Sequence, residues 1–150
     1  MLSIGSLAPD FSLKDQHGNT VQLSNLKGKK VLLSFHPLAW TSVCSEQMKS
    51  LEAAYDQFEA LNVLPLGVSV DPVPSKKAWA EALGLKKLLI LSDFWPHGEV
   101  AKAFGIFRER DGFSERANVL IDEQGKVVWI KVYPIKQLPD IHEILDFLKA

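Results

Sequence analysis

Cysteine is nearly missing from this sequence, because Cys44 is the only one among its 150 residues. A single cysteine cannot form a disulfide within the chain, and a free thiol is typical of a reducing compartment, so we expect the cytoplasm. The first residues lack a charged start followed by an apolar core, and no apolar run is long enough to cross a bilayer. We therefore expect neither a signal peptide nor a membrane anchor.

The sequence also lacks an excess of charge of one sign and a cluster of metal ligands. Lysine and arginine number 17 against 18 acidic residues, so the net charge of −1 gives no attraction for nucleic acid or an anionic membrane. The nine glycines form no phosphate-binding loop. The four histidines lack ligand spacing, so neither a metal nor another cofactor is expected; they are His17, His36, His97 and His142.

What is present is the composition of one globular domain, with 47% apolar and 23% charged residues. Short strands and helices alternate, which predicts central parallel strands with helices on both faces. Pro65 and Gly67 are unusual in a central strand and allow a bend or bulge there. The predicted strands are 11–14, 20–23, 31–35, 63–70, 88–91, 116–121 and 126–132, and the predicted helices are 41–61, 74–83, 98–104 and 137–148, with a hairpin joining the first two strands.

Cys44 lies between the strand at 31–35 and the helix that follows it. Thr41 or Ser42 can cap that helix, which places Cys44 in its first turn. Free N–H groups and the helix dipole stabilise a thiolate there, so Cys44 can act as a nucleophile without a neighbouring base. The alternative is a small buried side chain without chemistry. The strand–Pro–Thr–Cys–helix arrangement favours the reactive thiol.

Pro37, Thr41 and Cys44 match the Pro-x-x-x-(Thr/Ser)-x-x-Cys signature of the peroxiredoxins, and on these residues the sequence resembles that family (AhpC/TSA). Arg116 resembles the family's arginine just ahead of a strand. The similarity extends from the segment 5–11 to the final helix, so it covers nearly the whole chain.

The resemblance also implies a fold. The segment Ser-Asp-Phe-Trp-Pro-His-Gly at 92–98 is similar to the one-cysteine, AhpE-like branch of the family. A member of this branch has a single thioredoxin-like α/β domain, here residues 1–150, with a central mixed β-sheet flanked by helices and an N-terminal β-hairpin. The order of predicted elements agrees with that fold.

The activity implied by the resemblance is a thiol-dependent peroxidase that reduces hydrogen peroxide and organic hydroperoxides, and peroxynitrite as well. Cys44 is then the nucleophile and becomes a sulfenic acid. Thr41 and Arg116 position and stabilise the reacting oxygens, while Pro37 shields the sulfur from water. Each of the three has a simpler alternative role: a helix cap for Thr41, a turn residue for Pro37, and a solvated charge for Arg116.

The missing second cysteine sets the expected partners. An external thiol or a thioredoxin-type redoxin must reduce the sulfenic acid, and the resemblance implies a homodimer. Trp40 is expected beside the pocket, and the loop 93–97 is either a local aromatic cluster or a dimer contact. Two residues depart from the family pattern: His36 stands where an aromatic is common, and Gln47 replaces a glutamate three residues after the cysteine.

Other functions remain open from the residues alone. A thiol–disulfide oxidoreductase on the same fold would need Cys-x-x-Cys and would reduce insulin. A redox sensor or holdase would use Cys44 as a slow, stoichiometric switch. A Cys–His hydrolase would need His36 as its base and a third group to orient it. His36 is either a residue that tunes the sulfur or a hydrogen-bonded imidazole at the edge of the pocket.

Overall fold

A computed structural model of the chain describes all residues from Met1 to Ala150. Five α-helices and nine β-strands alternate along it. The strands span Ser12–Lys14 (β1), Thr20–Gln22 (β2), Lys30–Phe35 (β3), Val63–Ser69 (β4), Leu89–Ser92 (β5), Phe107–Arg108 (β6), Phe113–Ser114 (β7), Arg116–Ile121 (β8) and Val127–Tyr133 (β9). The helices span Ser42–Ala53 (α1), Tyr55–Ala60 (α2), Val73–Leu83 (α3), Glu99–Ala103 (α4) and Ile141–Lys149 (α5).

Seven strands form one mixed sheet in the order β2-β1-β5-β4-β3-β8-β9. The central strands β3, β4 and β5 are parallel, whereas β8 joins β3 and β9 joins β8 in antiparallel pairs. β1 and β2 form the expected N-terminal hairpin. Parallel neighbours require crossover connections, which α1 to α3 supply. The predicted thioredoxin-like α/β fold, with a central mixed sheet, is confirmed.

The sheet separates two apolar cores, as the alternation of side chains along a strand requires. On β3, Val31, Leu33 and Phe35 belong to the core that α4 covers, while Leu32 belongs to the core beneath α1, α3 and α5. Cys44 lies in the second core. None of the helices is both long and apolar enough to span a membrane.

Strand β4 runs without a bulge despite its proline and glycine. Pro65 pairs with Leu32 of β3, but pairing with β5 begins only at Leu66, so the residue that lacks an N–H has a strand neighbour on one side alone. Gly67 is required by close packing, since a Cβ atom there would lie 2.5 Å from the Met48 sulfur. The small residue lets α1 approach the sheet closely.

Two local predictions were wrong, and one element was missed. The helix at 41–61 is two helices, because the backbone of Ala54 (φ −95°, ψ 5°) leaves the helical conformation. The last helix begins at Ile141 rather than at 137, since Pro139 disfavours helix at the residue before it and the Asp140 carboxylate accepts from the His142 N–H as the cap. The hairpin β6–β7 was not predicted.

Candidate active site

Cys44 is the third residue of α1, directly beyond the loop that follows β3. Its side chain has no exposed surface. The first helical hydrogen bond runs from the Ser45 N–H to the Thr41 carbonyl (2.9 Å), so the amides of residues 42–44 precede the helical ladder. The expected placement of the thiol at a helix start is confirmed.

Thr41 occupies the cap position, but its side chain does not cap the helix. Its hydroxyl donates instead to the Leu38 carbonyl at 2.9 Å and makes no hydrogen bond to Cys44. This bond closes the loop 38–41 on itself and leaves the helix amides free. The oxygen of Thr41 keeps lone pairs with which it can accept from a ligand. The predicted side-chain cap is therefore wrong, while the residue remains at the mouth of the site.

Strand pairing brings Arg116 to the thiol from 72 residues away. Phe35 at the end of β3 pairs with Ala117, so the preceding residue of β8 lies beside the loop that leads to Cys44. Nη1 of Arg116 lies 3.2 Å from Cys44 Sγ, and its Nε donates to the Ile135 carbonyl at 2.8 Å. The simpler alternative of a solvated charge is wrong, because Arg116 is buried.

Gln47 fixes the guanidinium from the other side. Its Oε1 accepts from Arg116 Nη1 at 2.7 Å, while its Nε2 donates to Ser34 Oγ at 2.7 Å and to the Phe35 carbonyl at 3.2 Å. This neutral amide performs the orienting role left in doubt by the missing glutamate. No ion pair to a carboxylate includes Arg116. The positive charge beside Cys44 therefore has no acidic partner.

Pro37 and His36 form the buried wall of the loop. The His36 ring lies 5.3 Å from the Trp79 ring, and its Nδ1 lies 3.3 Å from the Ser34 carbonyl. Burial, followed by the charge of Lys76, holds the His36 pKa well below its usual 6.5, so the imidazole is neutral. It makes no hydrogen bond to Cys44, and its Nε2 has no partner. A general base paired with the thiol, as in a Cys–His hydrolase, is thus missing.

A buried lysine behind the site was missed by the sequence analysis. Lys76 of α3 has no exposed surface, and its Nζ donates to Ser69 Oγ. One signal was available: Lys76, Trp79 and Ala80 follow the i, i+3, i+4 spacing of a buried helix face, and all three are buried.

Exposed aromatic side chains lie in two loops, 38–41 and 93–97. Trp40 is 55% exposed and donates from Nε1 to Ser75 Oγ at 3.1 Å. Phe94 and Trp95 are 48% and 80% exposed, and they line a groove together with the segment 72–74. The interpretation of the loop 93–97 as a local aromatic cluster is wrong, because the rings of Phe94 and Trp95 face outward.

The site thus holds one thiol at a helix start, opposite a fixed guanidinium, with free amides and a hydroxyl at its mouth. Such donors stabilise negative charge that develops on an oxygen during reaction. The single thiol excludes dithiol exchange within the chain. The fold and site together define a class: thioredoxin-fold enzymes that act through one thiol.

Comparison with known proteins shows which family within this class the chain belongs to. The model of the AhpC/TSA family matches residues 4–130, and the chain belongs to that family. It is 41% identical to alkyl hydroperoxide reductase E of Mycobacterium bovis, over 100% of this chain and 98% of that protein. It is 32% identical to peroxiredoxin Bcp of Bacillus subtilis, over 99% and 96% of the two chains.

Solved structures agree with this assignment. The reduced 2-Cys peroxiredoxin of Plasmodium vivax superposes with a TM-score of 0.90 at 32% identity, covering 100% of this chain and 82% of that one. AhpC of Enterococcus faecalis, at 24% identity and a TM-score of 0.92, supports the fold. The chain is therefore a peroxiredoxin-type thiol peroxidase, and its single cysteine fits the one-cysteine branch.

Proposed function

We propose that Cys44 carries the peroxidase reaction in a one-cysteine cycle on hydrogen peroxide and organic hydroperoxides. The thiolate sulfur attacks one oxygen, an S–O bond forms and the O–O bond breaks. The sulfur is oxidised to sulfenic acid, and the other oxygen leaves as water or an alcohol once it has gained a proton. The observation that carries this proposal is the Arg116 guanidinium 3.2 Å from Sγ without an acidic partner.

The surrounding groups are proposed to act on the oxygens. Arg116 attracts the thiolate and donates to the leaving oxygen, where negative charge develops. Thr41 accepts from the peroxide O–H, and the Cys44 amide at the helix start donates to the oxygen under attack. Pro37, which is buried and has no N–H, keeps water from the sulfur. The same donors would bind peroxynitrite, an anionic peroxide.

The cycle needs a reductant from outside the chain, because no second cysteine exists to resolve the sulfenic acid. A small thiol or a thioredoxin-type redoxin attacks the Cys44 sulfur, so that an S–S bond forms, the S–O bond breaks and the oxygen leaves as water; a second thiol then reduces this mixed disulfide. We place this cycle in the cytoplasm, where thiols are kept reduced.

The first test is the stoichiometry of peroxide consumption. We expect the reduced protein to consume one equivalent of hydrogen peroxide in a fast phase and then to stop until dithiothreitol or a thioredoxin system is added. Rapid mixing with detection of residual peroxide follows both phases, and mass spectrometry identifies one added oxygen on Cys44. Oxidation no faster than that of free cysteine would instead support the slow redox switch.

We also propose that the protein forms a homodimer through the surface that carries the exposed aromatics. Trp40 reaches α3 through Ser75, and Trp95 lines the groove beside the segment 72–74, so apolar side chains continue from the active-site loop to this groove. Large exposed apolar patches of this kind mark contacts with other proteins. A second copy is the partner that the family resemblance favours.

Sedimentation tests the dimer. We expect the protein to sediment as a dimer at micromolar concentration and Trp95→Ser to shift it toward monomer, because the ring is 80% exposed and its loss removes apolar contact area. Leu7→Ser is the control, since Leu7 is 69% exposed but lies by the pocket at the opposite end of β3. A monomer before any substitution, or a dimer that both variants retain, would contradict the proposed surface.

A further inference from the structure

Lys76 is a titratable side chain enclosed by the core behind the active site. No part of its surface is exposed, and its ammonium lies 6.0 Å from the centre of the Trp79 ring. The Trp79 indole donates to Ser45 Oγ at 3.2 Å, next to Cys44 in α1. Buried lysines are rare unless paired, because removing an ammonium from water is unfavourable. The proposed peroxide chemistry makes no use of this residue.

A chain of hydrogen bonds leads from Lys76 to the active-site loop. Nζ donates to Ser69 Oγ at 2.5 Å, and the Ser69 hydroxyl donates to Asp71 Oδ2 at 2.5 Å. The same Oδ2 accepts the backbone N–H of Ala39 at 2.8 Å. We call this chain of hydrogen bonds, from Lys76 through Ser69 and Asp71 to Ala39, the relay. Ala39 lies midway between Pro37 and Thr41, so the relay ends inside the loop that forms the mouth of the site. The ionised ammonium of Lys76 and the carboxylate of Asp71 strengthen these bonds.

We propose that Lys76 is a positioning residue of the peroxidase, which acts through Ser69 and Asp71 to hold the Ala39 amide and thereby the loop 37–41 over Cys44. This inference rests on the proposed role of Cys44. Asp71 is partly exposed, so without the ammonium its carboxylate is free to turn toward solvent and release the loop. Ser69 Oγ links Lys76 of α3 to Asp71, and Asp71 Oδ2 links Ser69 at the end of β4 to the active-site loop.

The charges around Lys76 give the relay a pH dependence. Burial lowers the Lys76 pKa from 10.5 to about 7, against the opposing effect of Asp71, Cys44 and Asp93. His36, the remaining titratable group beside it, is neutral. Lys76 is therefore an ammonium below about pH 7 and loses its charge as the pH rises through that value. The contribution of the relay is largest on the acid side and fades on the alkaline side.

The test compares Lys76→Met with Lys77→Met, because Lys77 is the exposed neighbour on the same helix. At pH 6 we expect the second-order rate constant with hydrogen peroxide to fall about 10- to 100-fold in K76M, as misplaced reacting groups produce, and to stay unchanged in K77M. The ratio of wild type to K76M should shrink toward one above pH 8. Competition with a haem peroxidase measures these rates without relying on the fluorescence of Trp79.

Two further readouts separate positioning from general packing. Amide hydrogen exchange at 38–41, and above all at Ala39, should accelerate in K76M, a result that does not depend on peroxide turnover. Ser69→Ala, which interrupts the relay but keeps Lys76, should show the same loss of rate and the same faster exchange; Asp71→Asn repeats the test if S69A does not fold. K76M should unfold at the same temperature as wild type or higher, since a buried charge is unfavourable.

A K76M rate equal to that of K77M would overturn the proposal, as would unchanged exchange at 38–41. A rate loss in K76M that neither S69A nor D71N shares would also overturn it, because the charge would then act directly. So would a loss at every pH together with a lower unfolding temperature. Faster exchange in a protein that has no rapid reaction with peroxide would retain the relay and reject the proposed function instead.

Discussion

Cys44→Ser is expected to abolish the fast reaction with peroxide. The serine hydroxyl stays protonated at neutral pH and its oxygen cannot be oxidised to an equivalent of sulfenic acid, so both the attack and the intermediate are lost. We expect the second-order rate constant to fall by more than about a thousandfold, as removal of a catalytic nucleophile does. Rapid mixing with hydrogen peroxide, followed by detection of residual peroxide, measures the loss.

The substitution is well suited to a clean test because serine has nearly the shape of cysteine. Cys44 is wholly buried at the helix start, and the smaller oxygen keeps a contact with the Arg116 guanidinium. Thermal unfolding and circular dichroism should therefore match the unaltered protein. Rapid peroxide consumption that persists in C44S would show that another group, such as one of the two methionines, reacts in place of the thiol.

The same residue illustrates what a sequence can reveal. The position of Cys44 follows from local signals: the apolar run of β3 ends at Phe35, and a helical pattern begins at Ser42. The contact with Arg116 is non-local, because it depends on the antiparallel register of β3 and β8. The pattern of residues within either strand does not predict that register. Arg116 was identified from its resemblance to the family's arginine instead.

The features that were missed depend on packing in three dimensions. The spacing of Lys76 and Trp79 on α3 shows that both face the core, but which group meets the ammonium depends on where β4 ends. Gln47 was predicted to keep hydrogen-bonding capacity without a charge, and its role in ordering the site stayed in doubt. Its bonds to Ser34 and to Arg116 exist because α1 crosses the sheet closely, above Gly67.

The hydroxyl of Thr41 shows the opposite kind of error. A threonine before a helix normally caps it, and the backbone of Thr41 has the extended conformation that a cap requires (φ −82°, ψ 153°). The side chain nevertheless bonds to Leu38 three residues earlier. A local preference was overridden by a loop that closes on itself, and free amides at the start of α1 are the consequence. Those free N–H groups can donate hydrogen bonds to a peroxide oxygen.

Arg116→Met is expected to reduce the second-order rate constant about 10²- to 10³-fold, because loss of one donor aimed at developing charge weakens transition-state binding by about 3–4 kcal/mol. Arg116→Lys should recover only part of the rate. An ammonium restores the charge, but one nitrogen cannot reach the Ile135 carbonyl, Gln47 and Cys44 Sγ together as the guanidinium does. The measurement is the same rapid-mixing reaction, with the concentration of hydrogen peroxide varied.

Arg110→Met is the matched control, because Arg110 is exposed and takes part in no ion pair. It should leave the rate within twofold of the unaltered protein, and thermal unfolding checks that R116M still folds. The ordering expected is unaltered protein and R110M first, R116K next and R116M last, with C44S below all of them. A rate for R116M within threefold of R110M would mean that the guanidinium beside the sulfur only fills space, and that the helix amides alone stabilise the leaving oxygen.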